Sequence, residues 1–167
     1  PEIIRPGGIA RVTVIKSNYW VRKGNHVSIV VTDQTEDGSY YQLDSSVKVI
    51  VLPYHFENLH ETSFYKRQFI RMEKLKGFKK DLEKILMQTK YDIVVSTMTS
   101  EFKFLYEIYD GSKKIVECHF NHDHELLKAK SFGLSFIYRF LYWVKIKHND
   151  RLVDRYDAFV CLTHEDA

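Results

Sequence analysis

Short apolar runs alternate along the chain with longer amphipathic stretches, and this alternation predicts strands and helices in turn. Runs rich in Val and Ile predict strands at 26–32, 47–52, 91–96, 114–117 and 157–162. A period of 3.6 residues predicts helices at 9–21, 69–88, 101–109 and 134–147. In the second of these helices Lys76, Lys80 and Lys84 fall opposite the apolar stripe, where we expect solvent.

The order of these elements predicts an α/β fold. Strands that alternate with helices favour a Rossmann-like, doubly wound, mostly parallel sheet with helices on both faces. Ligands of such sheets bind beyond the carboxyl ends of the strands, where loops leave for the next helix. The candidate binding loops are therefore residues 6–8, 97–100 and 118–124.

Length and composition predict one globular domain in a chain of 167 residues, 44% of them hydrophobic. The net charge of +3 implies no nucleic-acid partner, although nine basic and three acidic residues give the segment 66–90 a charge of +6. Cys118 and Cys161 are far apart in strand-like surroundings, which predicts buried free thiols in a reducing compartment. With no signal peptide and no apolar run long enough to span a bilayer, we expect a cytoplasmic protein.

The first candidate motif is the glycine pair Gly7 and Gly8, which follows Pro6 and precedes a predicted helix. Residues without Cβ let a phosphate or sugar approach the backbone, and a helix N-terminus offers unpaired N–H groups and a positive dipole end. The pair fits neither a dinucleotide fingerprint nor a P-loop. A tight turn that starts the helix is the alternative interpretation.

The second motif is Cys-His-Phe-Asn-His-Asp-His at 118–124, directly after a predicted strand. His119, nearest the strand end, is the candidate for contact with a substrate. Zinc is disfavoured because no second pair of ligands is evident in the chain, and His122 and His124 are expected at the surface. We therefore predict no metal and no cofactor.

The predicted helix that begins at Leu134 and ends at Lys147 is nearly apolar and rich in aromatic residues. Its composition favours a helix packed in the core, and a peripheral membrane contact is the alternative. The chain has neither a G-x-S-x-G nor an H-E-x-x-H motif, so hydrolase and metalloprotease functions have no motif support.

Four segments in this order resemble the N-terminal domain of family 4 glycosyltransferases of the GT-B fold. They are PGGIARV at 6–12, VRKGNHVSIV at 21–30, CHFN at 118–121 and YDAFVCLTHED at 156–166. The chain departs from the family pattern at Ala10, Asn25, His26 and Cys118, which bears on the acceptor more than on the fold.

The resemblance implies one half of a two-domain, retaining, metal-independent enzyme that transfers a sugar from a nucleotide-sugar to a glycan or lipid-linked acceptor in cell-surface polysaccharide synthesis. Residues 1–167 would form the acceptor-binding domain, with the first strand missing or truncated and the nucleotide-sugar domain absent, so that this fragment alone is inactive. His119 would be the catalytic residue near the transferred sugar. Gly7, Gly8, Thr97, Ser100 and Asn121 would bind substrate, with the nucleotide-sugar as co-substrate.

A function of another class stays open. A stand-alone Rossmann-like module that binds a phosphorylated small molecule without catalysis would use the same glycine pair. The length of the natural gene and the turnover of nucleotide-sugars would distinguish this binding module from the transferase.

Overall fold

A computed structural model describes residues 2–34, 38–56, 64–119 and 136–161. The chain divides into two compact units, Pro1–Phe78 and Lys79–Ala167. The described helices are α1 (Gly8–Arg22), α2 (Phe64–Thr89) and α3 (Phe136–Val153), and the described strands are β1 (Ser28–Val31), β2 (Lys48–Val51), β3 (Ile93–Ser96), β4 (Lys113–Cys118) and β5 (Ala158–Cys161).

The first unit holds a two-stranded parallel sheet in which β1 pairs with β2. Its core consists of Ile3, Ala10, Ile29, Val31 and Val47. Helix α1 buries Ala10, Val14 and Ser17, which lie three or four residues apart and so share one side of the helix. The helix ends before Gly24, whose φ of 86° suits a glycine, and the chain then turns into β1.

The second unit holds a three-stranded sheet of order β3, β4, β5, with both pairings parallel. The predicted helix at 101–109 is instead two 3₁₀ turns, Ser100–Lys103 and Leu105–Glu107. Tyr156, at the start of β5, fixes these turns because its hydroxyl donates to the Phe102 carbonyl at 2.7 Å and its ring stacks on the Phe102 ring.

An ion pair is buried at the amino end of β4. The Lys114 ammonium contacts the Asp110 carboxylate, and the two side chains are 6% and 0% exposed. The Ser112 hydroxyl and backbone N–H also donate to Asp110. Asp157 lies beside this pair and accepts from the Lys114 backbone N–H at 2.8 Å, so the carboxylates join the turn at 110–112 and the start of β5 to β4.

This cluster predicts a loss of stability in acid. Burial alone would raise the pKa of Asp110, but the hydrogen bonds from Lys114 and Ser112 and the Lys114 charge outweigh it and lower the pKa. A lowered native pKa stabilises the folded state above the ordinary value of 3.8, and that stabilisation is lost as the pH falls through the native pKa. We expect the urea midpoint to fall steeply below about pH 4, and less steeply in Asp110→Asn. Equal slopes for both proteins would contradict this role for Asp110.

Both cysteines are free thiols, as predicted, although only Cys118 is fully buried and Cys161 is half-buried. They are register partners on β4 and β5, at the last residue of each strand. The two thiols therefore mark the carboxyl edge of the sheet.

The structure confirms a mixed α/β chain with small parallel sheets. Each predicted strand is found within about two residues of its expected ends. The described helix α3 continues to Val153, six residues beyond its predicted end, and α2 begins at Phe64, five residues earlier than predicted. The five described strands lie in two sheets.

Candidate functional site

The carboxyl edge of the β3–β4–β5 sheet gathers polar side chains. Since β3 and β5 both run parallel to β4, the last residues of the three strands lie at the same edge of the sheet: Ser96, Cys118 and Cys161. This is the edge at which parallel α/β sheets bind ligands. At this edge the structure describes the loop after β3 and the one residue that follows β4.

His119 directly follows β4 and its side chain is only 4% exposed. Its Nε2 atom lies 3.4 Å from Glu117 Oε2. The alignment of that contact does not make a hydrogen bond, and no other atom of the described residues bonds to Nε2. A buried ring nitrogen without a hydrogen bond is costly for a protein and is typical of a position that bonds to something else.

Glu117 is a buried carboxylate that sequence reasoning missed. It lies in β4 between Val116 and Cys118, and its side chain is 11% exposed. Burial of a carboxylate is expensive unless a cation or hydrogen-bond donors lie nearby. The Glu117 carboxylate lies beside the His119 imidazole, where it is placed to orient the ring. A glutamate inside an apolar strand, two residues before a histidine, was the available signal.

Glu101 holds the loop after β3 together, and no sequence motif marks it as a candidate site residue. Its carboxylate accepts hydrogen bonds from the Ser96 hydroxyl at 2.9 Å and from the Thr99 hydroxyl. Met98 lies between them with a φ of 57°, a left-handed conformation that costs a residue with a Cβ about 1 kcal/mol or more. The Met98 N–H donates to Ser96 Oγ at 3.2 Å, which holds this turn.

Thr97 and Ser100, predicted as hydroxyl donors, lie in this loop and are half-buried. Their hydroxyls bond to no other described residue, whereas the hydroxyls of the neighbouring Ser96 and Thr99 are taken by Glu101. Ser96 pairs with Val116 in the sheet, so Thr97 follows β3 beside the strand that carries Glu117 and His119.

Gly7 and Gly8 belong to the first unit, at the start of α1. Gly7 is the N-cap residue and makes no side-chain cap, and the first turn of the helix contains no acidic residue. Both glycines are exposed. The start of α1 is therefore exposed at both glycines and has no acidic residue in its first turn, an arrangement suited to an anion.

The backbone does not need glycine at either position. Gly7 has a φ of −173°, which is extended backbone that any residue adopts, and Gly8 is the first residue of α1. A Cβ added to Gly7 or Gly8 would meet no atom within 4 Å. The start of α1 therefore places no steric or conformational demand for glycine at either position.

The structure thus brings Thr97, Ser100 and His119 to one sheet edge and places Gly7 and Gly8 in the other unit. Asn121 and the other residues of the histidine-rich segment after His119 lie outside the described residues. Among the residues that are described, no group of three or more His, Cys, Asp or Glu side chains could hold a metal ion. None of the described helices is long and apolar enough to cross a membrane.

Comparison of the chain with protein-family models, with curated proteins and with solved structures finds no match.

Proposed function

We propose that this chain is the acceptor-binding domain of a retaining GT-B glycosyltransferase that moves a sugar from a nucleotide-sugar to a glycan or lipid-linked acceptor. The observation that carries the proposal is the glycine pair at the start of α1. Since neither backbone conformation nor packing requires Gly7 or Gly8, their lack of side chains is best explained by a ligand that lies against the helix N-terminus.

The two sheets support the finer fold that this proposal needs. In a doubly wound sheet of order 3-2-1-4-5-6, the second strand pairs with the third, and the fourth, fifth and sixth are consecutive neighbours. Taken each by itself, the β1–β2 sheet and the β3–β4–β5 sheet have these neighbour relations. The first position of that order is not filled by a described strand.

The chemistry assigned to the site follows from the bond that breaks. Cleavage of the bond between sugar and diphosphate leaves negative charge on the diphosphate and positive character on the sugar carbon. Free N–H groups at the start of α1 would stabilise a diphosphate. In the other unit, His119 would donate a hydrogen bond to the transferred sugar, the role that the resemblance implies. Glu117 would keep the His119 ring oriented, a positioning role.

The hydroxyls of Thr97 and Ser100 would bind the acceptor at the same edge as His119. Under this proposal the protein works in the cytoplasm, at the inner face of the membrane if the acceptor is lipid-linked. The process that the resemblance implies for this transfer is cell-surface polysaccharide synthesis.

Two glycine variants of the full-length protein test the proposal. We expect Gly8→Val to reduce sugar transfer at least about tenfold, because a branched side chain fills the space left for the ligand, while the melting temperature stays within a few degrees. Gly24→Ala is the matched control. Gly24 has a φ of 86°, so this change should lower the melting temperature and leave the activity per folded molecule unchanged.

The outcomes also separate enzyme from binding module. Transfer or hydrolysis of a nucleotide-sugar by the wild-type protein, lost in Gly8→Val, supports the transferase. Phosphate-compound binding that Gly8→Val abolishes, with no turnover of any donor in a panel of nucleotide-sugars, favours the module. Full activity in Gly8→Val would remove the glycine pair from the site.

A further inference from the structure

The outward side of helix α1, in the first unit, exposes large apolar side chains. Ile15 is 54% exposed, Trp20 is 49% exposed and Tyr19 is 46% exposed. The residues that α1 buries lie on a different side of the helix: Ala10, Val14 and Ser17. The three exposed side chains are therefore not part of the core of the first unit, and an exposed apolar patch on a surface helix is typical of an interaction site.

These side chains belong to a continuous apolar stripe along α1. At about 100° per residue, the arc of the helix from Ile15 to Val12 contains Tyr19 and no charged residue. The three residues are spaced by three and four positions, so they lie in one row along the same face. Trp20 extends this row, because its ring packs edge-on against the Tyr19 ring with 5.3 Å between the ring centroids.

Basic residues border the stripe on both sides. At about 100° per residue, Arg11 and Arg22 fall on one side of it, and Lys16 and Lys23 fall on the other. The Lys23 ammonium lies 5.6 Å from the centroid of the Tyr19 ring, a cation–π contact that holds one border against the stripe. We call the stripe and its basic borders the Tyr19 face.

No acidic residue of α1 offsets these charges. Residues 8–23 contain four basic residues and neither Asp nor Glu. Within the described part of the chain, no carboxylate forms an ion pair with Arg11, Arg22 or Lys23. Asp44 lies beside α1, because its N–H donates to Asn18 Oδ1 at 2.8 Å, but its carboxylate accepts from the Ser46 N–H. The Tyr19 face is therefore basic.

An apolar stripe between two rows of cations, on a helix about 22 Å long, suits a flat anionic surface. Tyr and Trp rings are favoured at the level of lipid headgroups, where one end of the ring is in apolar surroundings and the other in water. Arg and Lys stems extend along such a helix and place their charges among the phosphates. A groove in an acidic protein would leave the cations at its rim, whereas a lipid surface offers phosphates on both sides of the stripe.

We propose that the Tyr19 face binds the surface of a membrane that contains anionic lipids. This assigns the membrane contact to α1 rather than to the segment 134–147, for which the sequence analysis kept it as an alternative. The inference does not rest on the proposed glycosyl transfer, because lipid binding can be measured without a donor or an acceptor.

The first test is co-sedimentation of the 167-residue chain with vesicles of phosphatidylcholine, with and without about 30% phosphatidylglycerol. We expect binding to the anionic vesicles that falls several-fold when salt rises from about 0.1 to 0.5 M. The double variant Ile15→Gln with Tyr19→Gln should bind at least about tenfold more weakly. Arg11→Gln with Arg22→Gln should weaken binding to anionic vesicles and reduce its salt dependence.

Tyr40→Gln and Lys48→Gln are the matched controls in the same unit. Tyr40 is an aromatic residue 61% exposed outside α1, and Lys48 is an exposed lysine at the start of β2. Both variants should bind vesicles as the wild type does. Circular dichroism should show that all variants keep their helix content, because the positions are exposed and glutamine is a good helix former.

The second test uses the two tryptophans of the chain, since Trp20 lies on the Tyr19 face and Trp143 lies in α3, within the segment 134–147. In Trp143→Phe, we expect anionic vesicles to shift the Trp20 emission to shorter wavelength, and brominated acyl chains to quench it. In Trp20→Phe, the emission of Trp143 should show neither change under conditions in which the protein sediments with the vesicles.

Three outcomes would overturn the proposal. The first is no binding of the wild type to anionic vesicles at low salt. Self-association of the wild type in that case, lost in the double variant of Ile15 and Tyr19, would make the Tyr19 face an interface between two copies of the chain. The second outcome is equal vesicle binding by the wild type and that double variant. The third is quenching of Trp143 and not of Trp20, which would place the contact in the segment 134–147.

Discussion

Replacement of Asp110 by alanine should lower the free energy of unfolding by about 3–5 kcal/mol, because it leaves the Lys114 ammonium buried without its counter-charge. Lys114 is 6% exposed and so cannot recover its hydration without moving out of the sheet. Domains of this size are stable by only about 5–15 kcal/mol, so the variant should be partly unfolded at 37 °C. Urea denaturation followed by circular dichroism measures the difference.

An exposed ion pair provides the control for Asp110→Ala. Glu73→Ala removes the partner of Lys76 on the surface of α2 and should change stability by no more than about 0.5 kcal/mol. The double variant Asp110→Leu with Lys114→Met removes both buried charges and should recover much of the loss. If Asp110→Ala lowered the free energy of unfolding by no more than Glu73→Ala does, the ion pair between Lys114 and Asp110 would stabilise the fold no more than an exposed pair.

Under the proposed function, replacement of His119 by glutamine should lower sugar transfer by the full-length protein about 10²–10³-fold. Glutamine keeps an amide within reach of Glu117 but cannot take up and release a proton as imidazole does. Steady-state kinetics with the donor and acceptor measure turnover, and the melting temperature should stay within a few degrees of the wild type.

Two further variants show whether His119 acts in chemistry or in structure. His26→Gln changes an exposed histidine of the first unit and should leave turnover unchanged. Glu117→Gln should lower turnover less than His119→Gln does, since Glu117 would act only by orienting the His119 ring. Normal turnover in His119→Gln, or equal losses in His119→Gln and His26→Gln, would exclude a catalytic role for His119.

The local elements could be predicted from the sequence because each depends on nearby residues. The apolar stripe of α1 and its Gly24 end mark one helix, and the Val- and Ile-rich runs mark the strands. The segment 101–109 was predicted as an ordinary short helix and is two 3₁₀ turns. Three of its four buried residues, Phe102, Leu105 and Ile108, are spaced by three, as in a 3₁₀ helix, and the fourth is Phe104.

Features that depend on distant residues could not be predicted. Strand order requires pairings between segments far apart in the chain, and nothing local shows that the five described strands lie in two sheets. Lys114 reads as the polar start of an apolar strand, and only the fold shows that Asp110 is buried against it. Gly7 and Gly8 were found as a motif, but only the structure shows that Gly7 is extended, that Gly8 begins α1 and that a Cβ added to either would meet no atom within 4 Å.

The two ends of β4 should give different mutant phenotypes. Lys113 and Lys114 at its amino end hold Asp110 and Asp157, whereas Glu117 and Cys118 at its carboxyl end lead into His119. The six residues of the strand separate these ends by about 16 Å. Screens of this protein for folding and for activity should therefore sort substitutions in β4 by position along one strand, with abundance lost at its beginning and specific activity lost at its end.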